Sequence, residues 1–179
     1  MGTGRRASEQ SNAVVRLMEL YVKSGIDISS AVSMVNMMLT SGAADVMTAS
    51  IDICSVNRHE KRALFVKMGA MPSVIVGPER SRVIEINQPP AGVTSELNDL
   101  YCKMTECEVA SGECIVLYTD GVYDAFKMGG VNQKVFYEYL ASVVRKYDGD
   151  EKRCHKIAEE VLKKASGFVE DTEGDDMSV

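Results

Sequence analysis

The spacing of apolar positions changes period twice along the chain. Residues 5–24 follow helical spacing, with Val14, Met18, Tyr21 and Val22 on one face and Leu17 beside them. Gly25 then acts as a C-terminal stop. Asp27 is suited to cap a second helix near 28–40, whose apolar set is Ile28, Ala31, Val32, Val35 and Leu39. The pattern predicts a helical hairpin over 5–40, with both stripes in the core. After Ser41-Gly42 the period falls to two. Met47, Ala49, Ile51 and Ile53 alternate with Thr48, Ser50, Asp52 and Cys54, as in a strand with one face inward.

The strands that follow come as consecutive hairpins. Asn57 to Arg62 is a polar turn, and Ala63 to Met68 returns until Gly69-Ala70-Met71-Pro72 breaks it. Ser73–Val76 and Arg82–Ile86 flank Gly77-Pro78-Glu79-Arg80. Asn87 to Asp99 reads as a loop, Tyr101 to Val109 alternates again, and residues 114–119 form an apolar strand. Hairpin succession over 45–120 favours antiparallel sheets over a doubly wound one. Residues 122–167 return to helical spacing. Val135, Leu140, Val143, Val144 and Tyr147 mark a helix near 132–147. Cys154, Ile157, Val161, Leu162 and Ala165 mark one near 151–166, with Asp150 as its cap and Gly167 as its stop. The chain reads as one α+β domain over 1–179.

Composition narrows the function classes. The 179 residues are 45% hydrophobic, enough for a sizeable core. The net charge of −6 and the lack of any Lys/Arg-rich run argue against nucleic acid as a partner. Five cysteines without a CxxC argue against a disulfide framework and for a reducing compartment, hence a cytoplasmic protein. His59 and His155 are the only histidines, too few for a His-rich zinc site or a His-based triad. No run of about 18 apolar residues suggests membrane contact.

Two acidic sites carry the candidate chemistry. Leu117-Tyr118-Thr119-Asp120-Gly121-Val122 places a carboxylate at the end of an apolar strand, where Gly121 permits a sharp turn. Gly174-Asp175-Asp176-Met177-Ser178-Val179 places two more before an apolar start. If these segments are neighbours, their carboxylates meet at one end of a sheet and offer the oxygen ligands that Mg²⁺ or Mn²⁺ prefer. A plain turn aspartate at 120 and a solvated acidic tail over 170–176 are the structural alternatives.

Several segments in order resemble the bacterial PPM metal-dependent phosphatases, on the sporulation stage II protein E branch. They are Met1-Gly2-Thr3-Gly4-Arg5-Arg6-Ala7-Ser8-Glu9-Gln10-Ser11, Val46 to Asp52, Phe65-Val66-Lys67-Met68-Gly69-Ala70-Met71-Pro72-Ser73, Pro90-Ala91-Gly92 and the two acidic motifs. The resemblance covers essentially the whole chain. It implies a PPM-type α-β-β-α sandwich of antiparallel sheets flanked by helices. It implies a protein serine/threonine phosphatase in which two Mn²⁺ or Mg²⁺ ions activate a water for in-line attack, with no catalytic residue separate from the metal ligands. Asp120 with Gly121, and Asp175 with Asp176 in support, match the family's metal-binding positions. Arg5 and Arg6 would face phosphate or substrate. The implied partner is a phosphorylated anti-sigma-factor antagonist, in sporulation or sigma-factor control, and a dimer is possible in the family.

The chain departs from the family pattern at both ends. The Asp-Gly expected before Met1, the earlier strands with their acidic residue, and the continuation of the last strand are not in the sequence. Two remaining carboxylates hold two divalent ions poorly, because affinity rises with the number of charged ligands. The expectation is therefore a domain lacking its N-terminal strands and catalytically incomplete alone, with any membrane anchor lying upstream. A non-catalytic binding module with the same surface is the alternative reading, and a cation-binding structural domain is a third.

Overall fold

The structure is a computed structural model that describes residues 5–41, 48–94, 103–169 and 176–179, with side chains from residue 11 onward in the first segment. The chain divides into two compact units. One comprises Met1–Ala70 with Ile86–Cys107, and the other Met71–Glu85 with Glu108–Val179.

The first unit opens with α1 (Arg5–Lys23) and α2 (Ile28–Ser41), the predicted hairpin. Gly25 lies at φ +82°, and the hydrogen bonds Gly25 N–H to Val22 O and Ile26 N–H to Tyr21 O close a Schellman end. Asp27 caps α2 by accepting from Ser30 N–H at 2.9 Å and from the Ser30 hydroxyl at 2.6 Å. The Ser30 hydroxyl, followed by its backbone amide, draws the Asp27 carboxyl below the ordinary carboxylate range. Val14, Val32, Val35 and Leu39 form the helical side of the core, joined by Leu17, Met18, Tyr21 and Ile28. Val22 was expected on this face and is exposed instead. Steps of 100° carry it about 80° away from Val14, beyond the edge of the buried stripe.

The helices pack on a three-stranded sheet in the order β1-β2-β5, built from β1 (Ile51–Asn57), β2 (Arg62–Met68) and β5 (Met104–Glu108). β1 and β2 are antiparallel, in a register that pairs Ile51 with Met68, Asp52 with Lys67 and Ile53 with Val66. Ile51, Ile53, Val66 and Met68 join the helical core, so Asp52 and Lys67 share the opposite face. The predicted strand therefore starts later than its pattern. Ala49 makes only an isolated bridge to Ala91, and Met47 lies outside the described residues. Gly69 lies at φ +60°, where a Cβ would come within 2.5 Å of the Pro90 ring, so this crossing requires glycine.

Two buried polar side chains organise this unit. Asn36, on the core side of α2, accepts from Gly92 N–H at 2.7 Å and donates to Thr94 O at 3.2 Å, which pins the Pro90–Thr94 loop to the helix. Lys67 is fully buried and its ammonium donates to Asp52 Oδ1 at 2.7 Å. Burial pushes the Asp52 carboxyl up, while the hydrogen bond and charge of Lys67 pull it the other way.

The second unit holds the sheet β4-β3-β6, from β3 (Ser73–Val76), β4 (Ser81–Ile84) and β6 (Cys114–Val116), with β3 antiparallel to both neighbours. Its core joins Val74, Val76, Val116 and Tyr118 to α3 (Asp120–Met128), α4 (Gln133–Lys146) and α5 (Arg153–Ser166). Asn132 caps α4 by accepting from Val135 N–H at 3.0 Å. Phe136, rather than the predicted Val135, enters the core. On α5, Ile157, Val161 and Ala165 are buried while Cys154 is exposed. Asp150 does not cap α5 as expected. It accepts from Lys152 N–H at 2.8 Å one step earlier, and Lys152 takes the cap position without a side-chain bond.

The Asp52–Lys67 pair generates a prediction. Asp52→Leu removes the carboxylate that faces a buried ammonium and is expected to destabilise the chain by about 3 kcal/mol. The double variant Asp52→Leu/Lys67→Met should recover most of that loss, because it removes both charges from the interior. Chemical denaturation of the three proteins checks this, and an unchanged midpoint for the single variant would contradict it.

Candidate metal centre

The candidate centre is built where β6 gives way to α3. The apolar run predicts a strand over 114–119, but the ladder ends at Val116. Tyr118 still packs inward, edge-on to Phe136 with ring centroids 5.0 Å apart. Thr119 then takes extended backbone angles, φ −83° and ψ 161°, as the N-cap of α3. Asp120 is thus the first residue of a helix, not the last of a strand. Here the positive end of the helix dipole favours its carboxylate. The carboxylate is exposed, and its Oδ1 accepts from Gly121 N–H at 3.1 Å. Gly121 and Val122 behind it are buried, and Ala125 and Phe126 anchor the helix in the core.

The Thr119 side chain makes no capping bond to its own helix. It holds the C-terminal segment instead. Its hydroxyl donates to Asp176 O at 3.2 Å and accepts from Ser178 N–H at 3.0 Å. Its backbone N–H donates to Ser178 O at 3.1 Å. Residues 176–179 form no strand of their own, yet they bond to Thr119 as a strand would. Met177 and Val179 pack against the core of the second unit. The two acidic segments singled out in the sequence therefore adjoin, with Asp176 bonded to the residue immediately before Asp120.

Asp120, Gly121 and Asp176 lie together in the second unit, and Asp175 lies outside the described residues. Arg5 and Arg6 open α1 in the first unit. Among the described residues, no three or more His, Cys, Asp or Glu converge as a metal cage. The donor chemistry fits a hard divalent cation, since exposed carboxylate oxygens at a fixed rim are what Mg²⁺ and Mn²⁺ bind. The described donors amount to two carboxylates, Asp120 and Asp176, which suit a partial site better than a pair of ions.

Sequence reasoning missed Thr119. A threonine before Asp-Gly reads only as a helix cap, and nothing local shows that its hydroxyl bonds to a residue 59 positions away.

Comparison with solved structures gives the class first. The PP2C phosphatase domain with a regulatory-domain fragment of the cell fate determinant SpoIIE from Bacillus subtilis matches with a TM-score of 0.79 at 21% identity, over 99% of this chain and 50% of that one. RsbX, solved in complex with magnesium, matches with a TM-score of 0.63 at 16% identity, over 94% of this chain and 71% of that one. The fold is that of PP2C-type, or PPM, phosphatase domains, as the sequence resemblance implied. The family model Stage II sporulation protein E (SpoIIE) matches residues 1–179, and the chain belongs to that family. Stage II sporulation protein E of Bacillus subtilis is 25% identical over 171 residues, 96% of this chain. The chain spans 20% of the length of that relative. No helix among the described residues is long and apolar enough to cross a membrane.

A prediction follows from the Thr119 bonds. Thr119→Val keeps the side-chain shape but removes both hydroxyl bonds, at a cost of about 1 kcal/mol. Hydrogen exchange at the Ser178 amide should accelerate at least several-fold, while the core of α4 stays protected. Unchanged exchange at Ser178 would show that Thr119 does not hold the segment.

Proposed function

We propose that this chain is the phosphatase part of a Mn²⁺- or Mg²⁺-dependent protein serine/threonine phosphatase that acts on a phosphorylated anti-sigma-factor antagonist. The observation that carries this reading is the SpoIIE family match over residues 1–179, joined to the Thr119 bonds that set Asp176 beside Asp120. The magnesium complex of RsbX supports the choice of metal.

In this reading Asp120, Asp175 and Asp176 hold the ions, with Gly121 giving the backbone its turn. The ions, when bound, supply an activated water and neutralise phosphate charge. The residues of the chain do the positioning. Thr119 ties the acidic C-terminal segment to the start of α3, and burial of Gly121 and Val122 holds the backbone that carries Asp120. Arg5 and Arg6 offer guanidinium groups to the phosphate. A cytoplasmic setting agrees with five cysteines that include no CxxC pair. The substrate, its sigma-factor pathway and a dimeric state are parts of the same proposal.

The test is release of phosphate from a phosphoserine antagonist protein, with the chain in its full-length context. Turnover is expected with Mn²⁺ and lost with a chelator, and Asp120→Asn should lower it by at least about 10²-fold. Metal-independent binding of the phosphoprotein without turnover would instead assign the chain to a non-catalytic docking role.

A further inference from the structure

Two thiols of the second unit face the same core from opposite layers. Cys114 opens β6 and pairs with Val76 of β3, beside the Val74–Val116 pair on the same ladder. Paired residues of an antiparallel ladder share a face. Val74, Val76 and Val116 belong to the core shared with α3, α4 and α5, and Cys114 packs against it, half-buried. Cys154 belongs to the facing stripe of α5. It lies three positions before Ile157 and seven before Val161, both buried, so the helical period sets all three on one side. Cys154 itself is exposed, because it lies on the first turn at the margin of the packed region.

That first turn is held against the start of β6. Arg153 Nη1 donates to Gly112 O at 3.1 Å, two residues before Cys114. Burial pushes the Cys114 thiol up, the Arg153 guanidinium pulls it down, and the charge of Cys154 pushes it up again, so the two sulfurs lie close enough to act on each other. A disulfide needs Cα atoms within about 7 Å. α5 starts without a side-chain cap, which makes its first turn the part best able to give the final adjustment. The other described cysteines, Cys54 and Cys107, belong to the first unit.

We propose that Cys114 and Cys154 are a redox-modified pair that forms a reversible disulfide on contact with a small disulfide oxidant, glutathione disulfide. The Cys154 thiolate, the exposed one, attacks a sulfur of the oxidant. A Cys154–glutathione bond forms and one glutathione thiolate leaves. Cys114 gives up its proton and attacks the Cys154 sulfur, and the second glutathione thiolate leaves. The protein pair is oxidised by two electrons, glutathione disulfide is reduced by two, and the two protons end on the released glutathione. The bond ties the start of β6 to the start of α5. It stands apart from the cation reading, because Cys114 begins β6 while Asp120 lies beyond its other end. In a reducing compartment such bonds are transient and serve as sensors.

The test exposes the folded full-length protein to glutathione disulfide and maps its disulfides by peptide mass spectrometry. Linked peptides carrying Cys114 and Cys154 are expected, and dithiothreitol should release them. Cys114→Ala should instead accumulate glutathione on Cys154, at least several-fold above wild type, because the resolving thiol is gone. A glutathione adduct that persists on wild-type Cys154, a bond from Cys154 to any other cysteine, or no reaction would each overturn the proposal. A Cys114–Cys154 bond that forms only in urea would overturn it as well, since the native packing would then not bring the thiols together. Should Cys114→Ala not fold, Cys154→Ala decides the order of attack. Cys114 is expected to stay unmodified in that variant, and a glutathione adduct on it would contradict Cys154 as the entry thiol.

Discussion

The packing around Phe136 is the constraint on which the candidate site depends. Its ring meets Tyr118 at 5.0 Å, Phe126 at 4.8 Å and Tyr123 at 5.4 Å, and Phe126 continues to Phe168 at 5.3 Å. Each such pair is worth roughly 0.5–1.5 kcal/mol beyond the area it buries. The contacts join three elements. Tyr118 follows β6, Tyr123 and Phe126 belong to α3, and Phe136 belongs to α4. Asp120 lies in sequence between the first two anchors, so its backbone is held from both sides. An exposed carboxylate on a free loop would sample many positions, whereas this one has a helix start fixed by an aromatic core beneath it.

A charge argument connects that scaffold to function. The chain carries a net charge of −6, and its candidate site is a rim of carboxylates. A phosphorylated protein is itself anionic there, so the rim alone repels it. A divalent cation between the two reverses the local sign, and in such sites the ion dominates the electrostatics. In the proposed reading, the same acidic residues that would disfavour phosphate in the apo protein are those that would recruit the ion. Under the proposed phosphatase function, phosphate chemistry at this rim would depend on metal as a matter of charge.

Much of the fold was legible because hydrophobic period is a local signal. The hairpin of α1 and α2, the β1–β2 and β3–β4 hairpins and the helices α4 and α5 follow their patterns to within a few residues. What was not legible depends on partners distant in sequence. Asn36 lies on a polar step of α2, yet it is buried because the Pro90–Thr94 loop needs both its amide and its carbonyl. Lys67 interrupts an apolar strand, and only the β1–β2 register reveals that Asp52 stands opposite. At the site, the sequence singled out Asp120 and Asp176 but ran the strand before Asp120 too far, to residue 119. The apolar run Cys114–Tyr118 does not show that pairing stops at Val116, because Leu117 and Tyr118 remain hydrophobic for packing rather than for the ladder. Thr119 escaped notice for the same reason, since its partner is at the far end of the chain.

The central claim is that the Thr119–Asp120 corner and the C-terminal segment form one cation-binding rim. The most direct measurement is paramagnetic broadening of backbone amide resonances by substoichiometric Mn²⁺. The account predicts that Asp120, Gly121, Asp176 and Ser178 broaden first and together, and that excess Mg²⁺ restores them. Broadening centred elsewhere on the chain, or none at these four amides, would contradict it.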